Sequence, residues 1–146
     1  MATLSVGEVE RFARGELADI CSATVAAIED GIGFGWVMPP PRHRLEAYWR
    51  GVILVPERVL LLGYVDGSVA GSGQLVKPSA NFEAGHFAAH IETHFVAPWA
   101  RGHGLARQLL EAAETAARDA GFRVMRLDVR VTQDRAIQLY ESCGYK

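Results

Sequence analysis

The spacing of apolar residues along the chain alternates between helical and strand periods. Helical spacing predicts one helix over residues 15–31 and a stronger one over 102–121, each ending at a glycine that favours a stop. A shorter helix is predicted over about 41–53, and a last one over 132–145, where Thr132 is a candidate cap. The apolar face of the strongest helix comprises Leu105, Leu109, Ala112, Ala113, Ala116 and Ala120.

Five strands are predicted around these helices. Two apolar runs flank Asp66-Gly67, a dipeptide typical of tight turns, and predict a hairpin over 58–76. The other strands are predicted over 8–13, 85–97 and 123–131. The order β-α-α-β-β-β-α-β-α therefore predicts an α/β fold with at least one crossover through a helix.

Length and composition narrow the class of protein. The 146 residues fit a single domain over 1–146, and 49% hydrophobic content is too high for disorder. A formal net charge of −2 gives no sign of a nucleic-acid partner, and no apolar run is long enough to cross a membrane. The N-terminus is charged early and lacks an apolar signal core, so we expect a cytoplasmic protein. Cys21 and Cys143 are too few for a disulfide framework and are interpreted as ordinary buried thiols.

The stretch RGHGLA, residues 101–106, lies between a predicted strand and the strongest predicted helix. The first backbone N–H groups of a helix have no intrahelical partner and carry the positive end of its dipole, so they favour an anion such as phosphate. Gly102 and Gly104 allow close approach and a positive φ, and Arg101 adds a fixed charge. The alternative is a tight turn whose glycines serve packing alone. The Gly-Lys-Ser/Thr ending of a P-loop and the third glycine of a dinucleotide fingerprint are both missing from this stretch.

Two blocks of the sequence resemble the GNAT superfamily of N-acetyltransferases. In VAPWARGHGLARQLL, the residues Arg101, Gly104 and Ala106 occupy the defined positions of its acetyl-CoA-binding motif. In LDVRVTQDRAIQLYESCGY, Gln133 replaces the usual Asn and Tyr145 the usual Phe. The matching residues of that second block are Leu127, Val129, Ala136, Leu139, Tyr140 and Gly144.

This resemblance implies a mixed, mostly antiparallel twisted sheet flanked by helices, and acyl transfer from acetyl-CoA as co-substrate to a primary amine of a small molecule or protein. The pantetheine arm is expected along the strand ending at Val96, and the backbone N–H of His94 is expected to hold the thioester carbonyl. Tyr140 is the implied general acid for the thiolate. The other implied cofactor-binding residues are Arg101, Gly102, His103, Gly104, Leu105, Ala106 and Gln133.

The general base is left open by the sequence. His90, Glu92 and His94 alternate with other residues in AHIETHF, so regular strand geometry predicts all three on one face. His90 stands where many family members carry a glutamate, and its imidazole could act directly as the base. Glu92 acting through a water is preferred, because a carboxylate also attracts a cationic amine. A metal bound by the three residues and a polar face without chemistry are the alternatives; no metal is expected.

Two other hypotheses compete with catalysis. One is a non-catalytic module that binds CoA or acyl-CoA as a sensor or structural partner, and the other is a domain for a different phosphate ligand. Aromatic residues Phe34, Trp36 and Trp49, around the proline-rich loop, are assigned equally to an acceptor pocket and to the core.

The sequence ends soon after the second block, at ESCGYK. The family usually adds two further strands there, and without them the sheet keeps an open edge, which favours pairing with another chain. We therefore predict that the chain forms a homodimer through this edge, and we expect no nucleic-acid or membrane partner.

Overall fold

A computed structural model of the protein describes residues 2–31, 36–78, 87–128 and 133–146. Its five strands are β1 (Leu4–Glu8), β2 (Arg58–Val65), β3 (Ser68–Val76), β4 (Ala88–Val96) and β5 (Val124–Arg126). Its four helices are α1 (Glu16–Glu29), α2 (Arg42–Val52), α3 (Leu105–Asp119) and α4 (Asp134–Ser142), and a 3₁₀ turn covers Pro98–Ala100.

The strands form one sheet in the order β1-β2-β3-β4-β5. The first three pairings are antiparallel, and β4 and β5 run parallel because α3 carries the chain back across the sheet. The β2–β3 hairpin turns at Asp66 and Gly67, which both have positive φ, as a two-residue primed turn requires. The predicted mixed, mostly antiparallel sheet and its element order are confirmed.

The first strand was predicted in the wrong place. It covers Leu4–Glu8 instead of 8–13, because pairing with β2 sets its register, with Leu4 opposite Val65 and Glu8 opposite Leu61. The pattern over 8–13 is too short to fix a strand without that partner. The capping interpretation of Thr132 and the last part of the predicted strand 123–131 fall on residues outside the described ranges.

Apolar side chains are buried on both faces of the sheet. The face under α1 and α2, which we call the α1–α2 face, carries a core cluster that includes Ile20, Leu45, Trp49, Leu60, Leu62 and Phe95. The opposite face, the α3–α4 face, carries a cluster that includes Leu61, Ile91, Leu105, Leu109 and Tyr140. Burial on both faces explains why β2 is a continuous apolar run instead of an alternating one. No helix within the described residues is long and apolar enough to span a membrane.

Both cysteines are free thiols. Cys21 is fully buried in the α1–α2 core, as predicted, and burial raises the pKa of its thiol. Cys143 is only half-buried, so the interpretation of a buried thiol fits it less well.

A β-bulge interrupts the pairing of β3 with β4. Ser72 pairs with Phe95, but the next pair is Gln74 with Glu92, so two residues of β4, Thr93 and His94, face the single residue between Ser72 and Gln74. Thr93 takes a positive φ of 47°, a conformation that a β-branched residue rarely adopts. The bulge therefore breaks the alternation of side chains along β4.

Gly71 lies on β3 beside the bulge, at a position that has no room for a side chain. A Cβ at this residue would lie 2.3 Å from the carbonyl oxygen of Phe95 and 3.1 Å from Cα of Val96, both backbone atoms. The two strands approach each other here more closely than any side chain allows.

Replacing Gly71 by alanine is expected to lower the free energy of unfolding by at least about 2 kcal/mol, since rigid backbone must move to admit the methyl group. Urea unfolding measures this difference. The matched control is Gly7→Ala on β1, where a Cβ meets nothing within 4 Å, and there we expect a change within about 0.5 kcal/mol. Equal stability of the two variants would contradict the close approach at Gly71.

Candidate active site

A cavity of about 890 Å³ lies between the end of β4, the start of α3 and one side of α4. It brings together most of the site residues predicted from sequence: His94, Val96, Arg101, Gly102, Gly104, Leu105, Ala106, Gln133 and Tyr140. Within residues 87–128, the parallel ladder between β4 and β5 joins Ala88–His90 to Val124–Arg126, and the cavity lies further along β4, at its C-terminal end. The cavity therefore lies at the C-terminal end of β4, beside the start of α3.

The loop before α3 is shaped by its two glycines. Gly102 and Gly104 have φ values of 87° and 86°, and Gly104 occupies the N-cap position with no side-chain cap. A Cβ at either glycine would meet nothing within 4 Å, so the requirement is the backbone conformation and not the packing. The positive end of the α3 dipole is consequently left accessible at the cavity wall.

Arg101 forms an ion pair that the sequence did not indicate. Its Nη1 lies 2.6 Å from Oδ2 of Asp30, the residue that follows α1, and both side chains remain partly exposed. Three arginine side chains and two aspartates line the cavity, so its charge is positive: Arg101, Arg107, Arg135, Asp30 and Asp134. Asp30, Arg107 and Arg135 were not predicted, and no local pattern would have found Asp30, which is 71 residues from its partner.

Arg107 also connects α3 to the end of α4. Its guanidinium donates to Oγ of Ser142 at 2.8 Å and to Sγ of Cys143 at 3.2 Å. These contacts hold the two walls of the cavity together on their exposed side.

His94 and Tyr140 meet at the inner wall of the cavity. Nδ1 of His94 lies 2.7 Å from the Tyr140 hydroxyl, and its Nε2 lies 2.8 Å from the carbonyl oxygen of Ala106 in the first turn of α3. Desolvation lowers the pKa of His94 to about 4, and burial raises the pKa of Tyr140 to about 12. At neutral pH the imidazole is therefore neutral and the phenol keeps its proton.

The prediction that His90, Glu92 and His94 share one face of β4 is wrong. The bulge at Thr93 turns His94 toward α3 and α4, whereas Glu92 stays on the α1–α2 face. The three side chains therefore do not converge on a metal, and no cluster of three potential metal ligands occurs within the part of the chain that the structure describes. Neither His90 nor Glu92 lines the cavity.

Glu92 belongs to a polar network on the α1–α2 face. Its carboxylate accepts from Nη1 of Arg58 at 2.9 Å, and the same nitrogen donates to the buried Gln74 at 2.7 Å. Gln74 in turn donates to the Tyr48 hydroxyl, which lies 3.2 Å from Oγ1 of Thr93. This network connects the carboxylate to the bulge from the side opposite the cavity.

The remaining residues named from the sequence, one histidine and three aromatic residues, do not line the cavity where the structure describes them. His103 is exposed and does not line the cavity. Trp49 is fully buried and its Nε1 donates to Thr24, so it belongs to the core. Trp36 packs edge-to-face on Tyr48 at 5.5 Å, and Phe34 lies outside the described residues.

Comparison with known proteins identifies the family to which the chain belongs. The chain matches the acetyltransferase (GNAT) family over residues 23–145 and belongs to it; it is an acyltransferase. It is 53% identical over 135 residues, 92% of this chain and 80% of the other, to a protein of Azospirillum brasilense described as an uncharacterized N-acetyltransferase in the hisH-hisA intergenic region.

Solved structures share the fold. An N-acetyltransferase from Staphylococcus aureus superposes with a TM-score of 0.78 at 18% identity, covering 99% of this chain and 84% of that one. The putative acetyltransferase yncA from Salmonella typhimurium, solved with acetyl-CoA, gives 0.76 at 19% identity, covering 98% and 79%.

Burial of a neutral imidazole makes the stability of the fold depend on pH. The pKa of His94 in the folded state, about 4, lies below its ordinary value of 6.5, so between these pH values the unfolded chain binds more protons than the folded one. The contribution of His94 to the free energy of unfolding is therefore fully present above pH 6.5. It is lost as the pH falls from 6.5 through 4.

Relative to His94→Gln, the wild-type protein is expected to lose unfolding free energy between pH 7 and about pH 4.5. Urea unfolding of both proteins at the two pH values measures the change. A difference between wild type and variant that stays constant with pH would show that His94 titrates normally in the folded state.

Proposed function

We propose that the protein transfers the acetyl group of acetyl-CoA to a primary amine, on a small molecule or a protein, by direct attack in a ternary complex. The observation that carries this proposal is the cavity that joins the N-terminus of α3, the β4 bulge and the Tyr140 hydroxyl. Acetyl-CoA has phosphates at one end and a thioester at the other, and the cavity offers a cationic helix end and a phenol to match.

Matching the phosphates of CoA to the N-terminus of α3, and its thioester to Tyr140, gives each cofactor-binding residue a role. The pyrophosphate would bind the backbone N–H groups of residues 102–106, including those of His103 and Leu105, with Arg101 adding charge. The pantetheine would lie along β4 at Val96, and Gln133, at the N-cap position of α4, would contact it from the other wall. The backbone N–H of His94 would hold the thioester carbonyl, and such a donor stabilises the oxyanion that develops there.

In the reaction, the amine attacks the carbonyl carbon and the C–S bond breaks, leaving its electron pair on sulfur. Tyr140 gives its proton to that sulfur. The amine gives up a proton through a water to the base, and the phenolate then recovers a proton from solvent. Because its pKa is about 12, Tyr140 is fully protonated at the start of each turnover at neutral pH.

Glu92 is proposed as the base that receives the amine proton through a water. It lies on β4 next to the bulge but on the α1–α2 face, so an amine approaching from that face would meet the thioester from the side opposite the CoA cavity. Its ion pair with Arg58 holds the carboxylate in place. His90, exposed on the same strand, is the alternative base and would act directly.

The rival hypothesis is a CoA-binding module without catalysis. The buried contact between Tyr140 and His94 favours an enzyme, since a module that only binds CoA has no need of a buried phenol at the inner wall.

Gly104 tests the phosphate-binding loop. Asn and Asp both tolerate positive φ and have the same shape, so Gly104→Asn and Gly104→Asp differ by one negative charge at the start of α3. We expect the aspartate variant to bind CoA at least about 10-fold more weakly than the asparagine variant, measured by isothermal titration calorimetry. Equal affinities would place the phosphates elsewhere.

Tyr140→Phe tests the chemistry. Loss of a general acid predicts a fall in kcat of about 100-fold, with the Kd for CoA changed by less than about twofold. Release of free thiol from acetyl-CoA, with a panel of amines, measures kcat. Glu92→Gln is expected to lower kcat in the same assay.

The matched control is Tyr145→Phe. Tyr145 lies 6.0 Å from the Tyr140 ring but donates to Glu114 outside the cavity, so its kcat should match the wild type. Wild-type turnover by Tyr140→Phe would assign the acid to another group, whereas no thiol release by the wild-type protein with any amine would support the non-catalytic module. Competition by unrelated phosphate nucleotides as strong as that by CoA would instead favour a different phosphate ligand.

A further inference from the structure

The side chain of His94 has a defined proton arrangement. Ala106 offers a carbonyl oxygen, which can only accept, so Nε2 of His94 must donate to it over 2.8 Å. In the neutral imidazole Nδ1 then carries no proton and can only accept. The Tyr140 hydroxyl, 2.7 Å away, is therefore the donor of the contact between the two side chains.

The single hydroxyl proton of Tyr140 is therefore already donated to Nδ1 of His94 before any ligand binds. The hydroxyl hydrogen points at His94, and the oxygen lone pairs remain on its other side. A thioester sulfur is a weak acceptor and competes poorly with an imidazole nitrogen. A thiolate carries charge and accepts a hydrogen bond roughly twice as strong as a neutral acceptor does.

We propose that His94 is a positioning residue that holds the Tyr140 hydroxyl through Nδ1 until negative charge develops on the departing sulfur of CoA. The hydroxyl then turns from imidazole to thiolate, so the bond that Tyr140 makes to sulfur is stronger in the transition state than in the ground state. Interactions of this kind raise kcat without tightening substrate binding. The inference rests on the proposed function, because it gives Tyr140 its role as acid.

The second contact of His94 gives the positioning its rigidity. Nε2 is anchored to the first turn of α3, the turn whose backbone N–H groups are proposed to hold the pyrophosphate. The bulge at Thr93 is what turns His94 toward both partners at once. One imidazole thus connects the phosphate-binding turn to the phenol.

Asparagine and glutamine separate the two contacts of His94. The amide of Asn reaches roughly the place of Nδ1, so His94→Asn keeps an acceptor for Tyr140 but loses the contact with Ala106. The amide of Gln reaches roughly the place of Nε2, so His94→Gln keeps a donor for Ala106 but loses the acceptor for Tyr140.

We expect His94→Gln to lower kcat about 10-fold with little change in the Kd for CoA. His94→Asn should recover most of that kcat while binding CoA several-fold more weakly. In a Tyr140→Phe background, His94→Gln should cause no further fall in kcat, because the hydroxyl it positions is gone. A purely structural role would lower kcat in both backgrounds and to the same extent in both amide variants, and either result would overturn the proposal.

A readout independent of turnover examines the hydrogen bond itself. The ¹⁵N resonance of His94 Nδ1 should move toward the value of a nitrogen without a donor in Tyr140→Phe, and should not move in Tyr145→Phe. No movement in Tyr140→Phe would contradict the proton arrangement. If the Nδ1 resonance shifts in Tyr140→Phe but this variant keeps the wild-type kcat, the hydrogen bond exists and Tyr140 is not the acid. The failure of this inference and that of the proposed function are therefore distinguishable.

Discussion

The β-bulge at Thr93 and His94 is the constraint on which the site depends. The bulge holds the β-branched Thr93 in a left-handed conformation, and beside it Gly71 on β3 has no room for a side chain. The extra residue shifts the alternation of side chains along β4 by one position. His94 therefore faces α3 and α4, while Glu92 lies on the α1–α2 face. A regular strand would put both on the same side.

Separating these side chains divides the proposed reaction between two faces of the sheet. The cavity on the α3–α4 face carries positive charge and the phenol, which suits an anionic cofactor and its leaving thiolate. The opposite face carries the network of Arg58, Glu92, Gln74 and Tyr48, which suits a polar acceptor. The proposed mechanism requires groups from both faces to reach one carbonyl carbon at the end of β4.

Much of the fold could be predicted from the sequence because its signals are local. The 3.6-residue spacing located α1 and α3, and Asp66-Gly67 located the hairpin. The cavity residues came from the resemblance of two sequence blocks to a family, since the glycine loop by itself is also consistent with a tight turn that serves packing alone. The positive φ of Gly102 and Gly104 agrees with what that loop was expected to need.

What sequence reasoning missed depends on contacts between distant segments. The register of β1 is set by β2, and the ion pair between Asp30 and Arg101 joins residues 71 apart. The bulge was missed because the prediction assumed that side chains alternate regularly along the strand. Threonine rarely adopts a positive φ, so the sequence gives no sign of one at Thr93. The wrong placement of His94 followed directly from that assumption.

The most direct test of the proposed cofactor site is an NMR titration of backbone amides with CoA and with acetyl-CoA. If the cavity is the cofactor site, both ligands should shift the amides of residues 102–106, and only acetyl-CoA should move the amide of His94 strongly downfield, through a bond to the thioester carbonyl. Shifts confined to the groove beyond β5, around Arg118 and Arg126, with residues 102–106 unchanged, would contradict it.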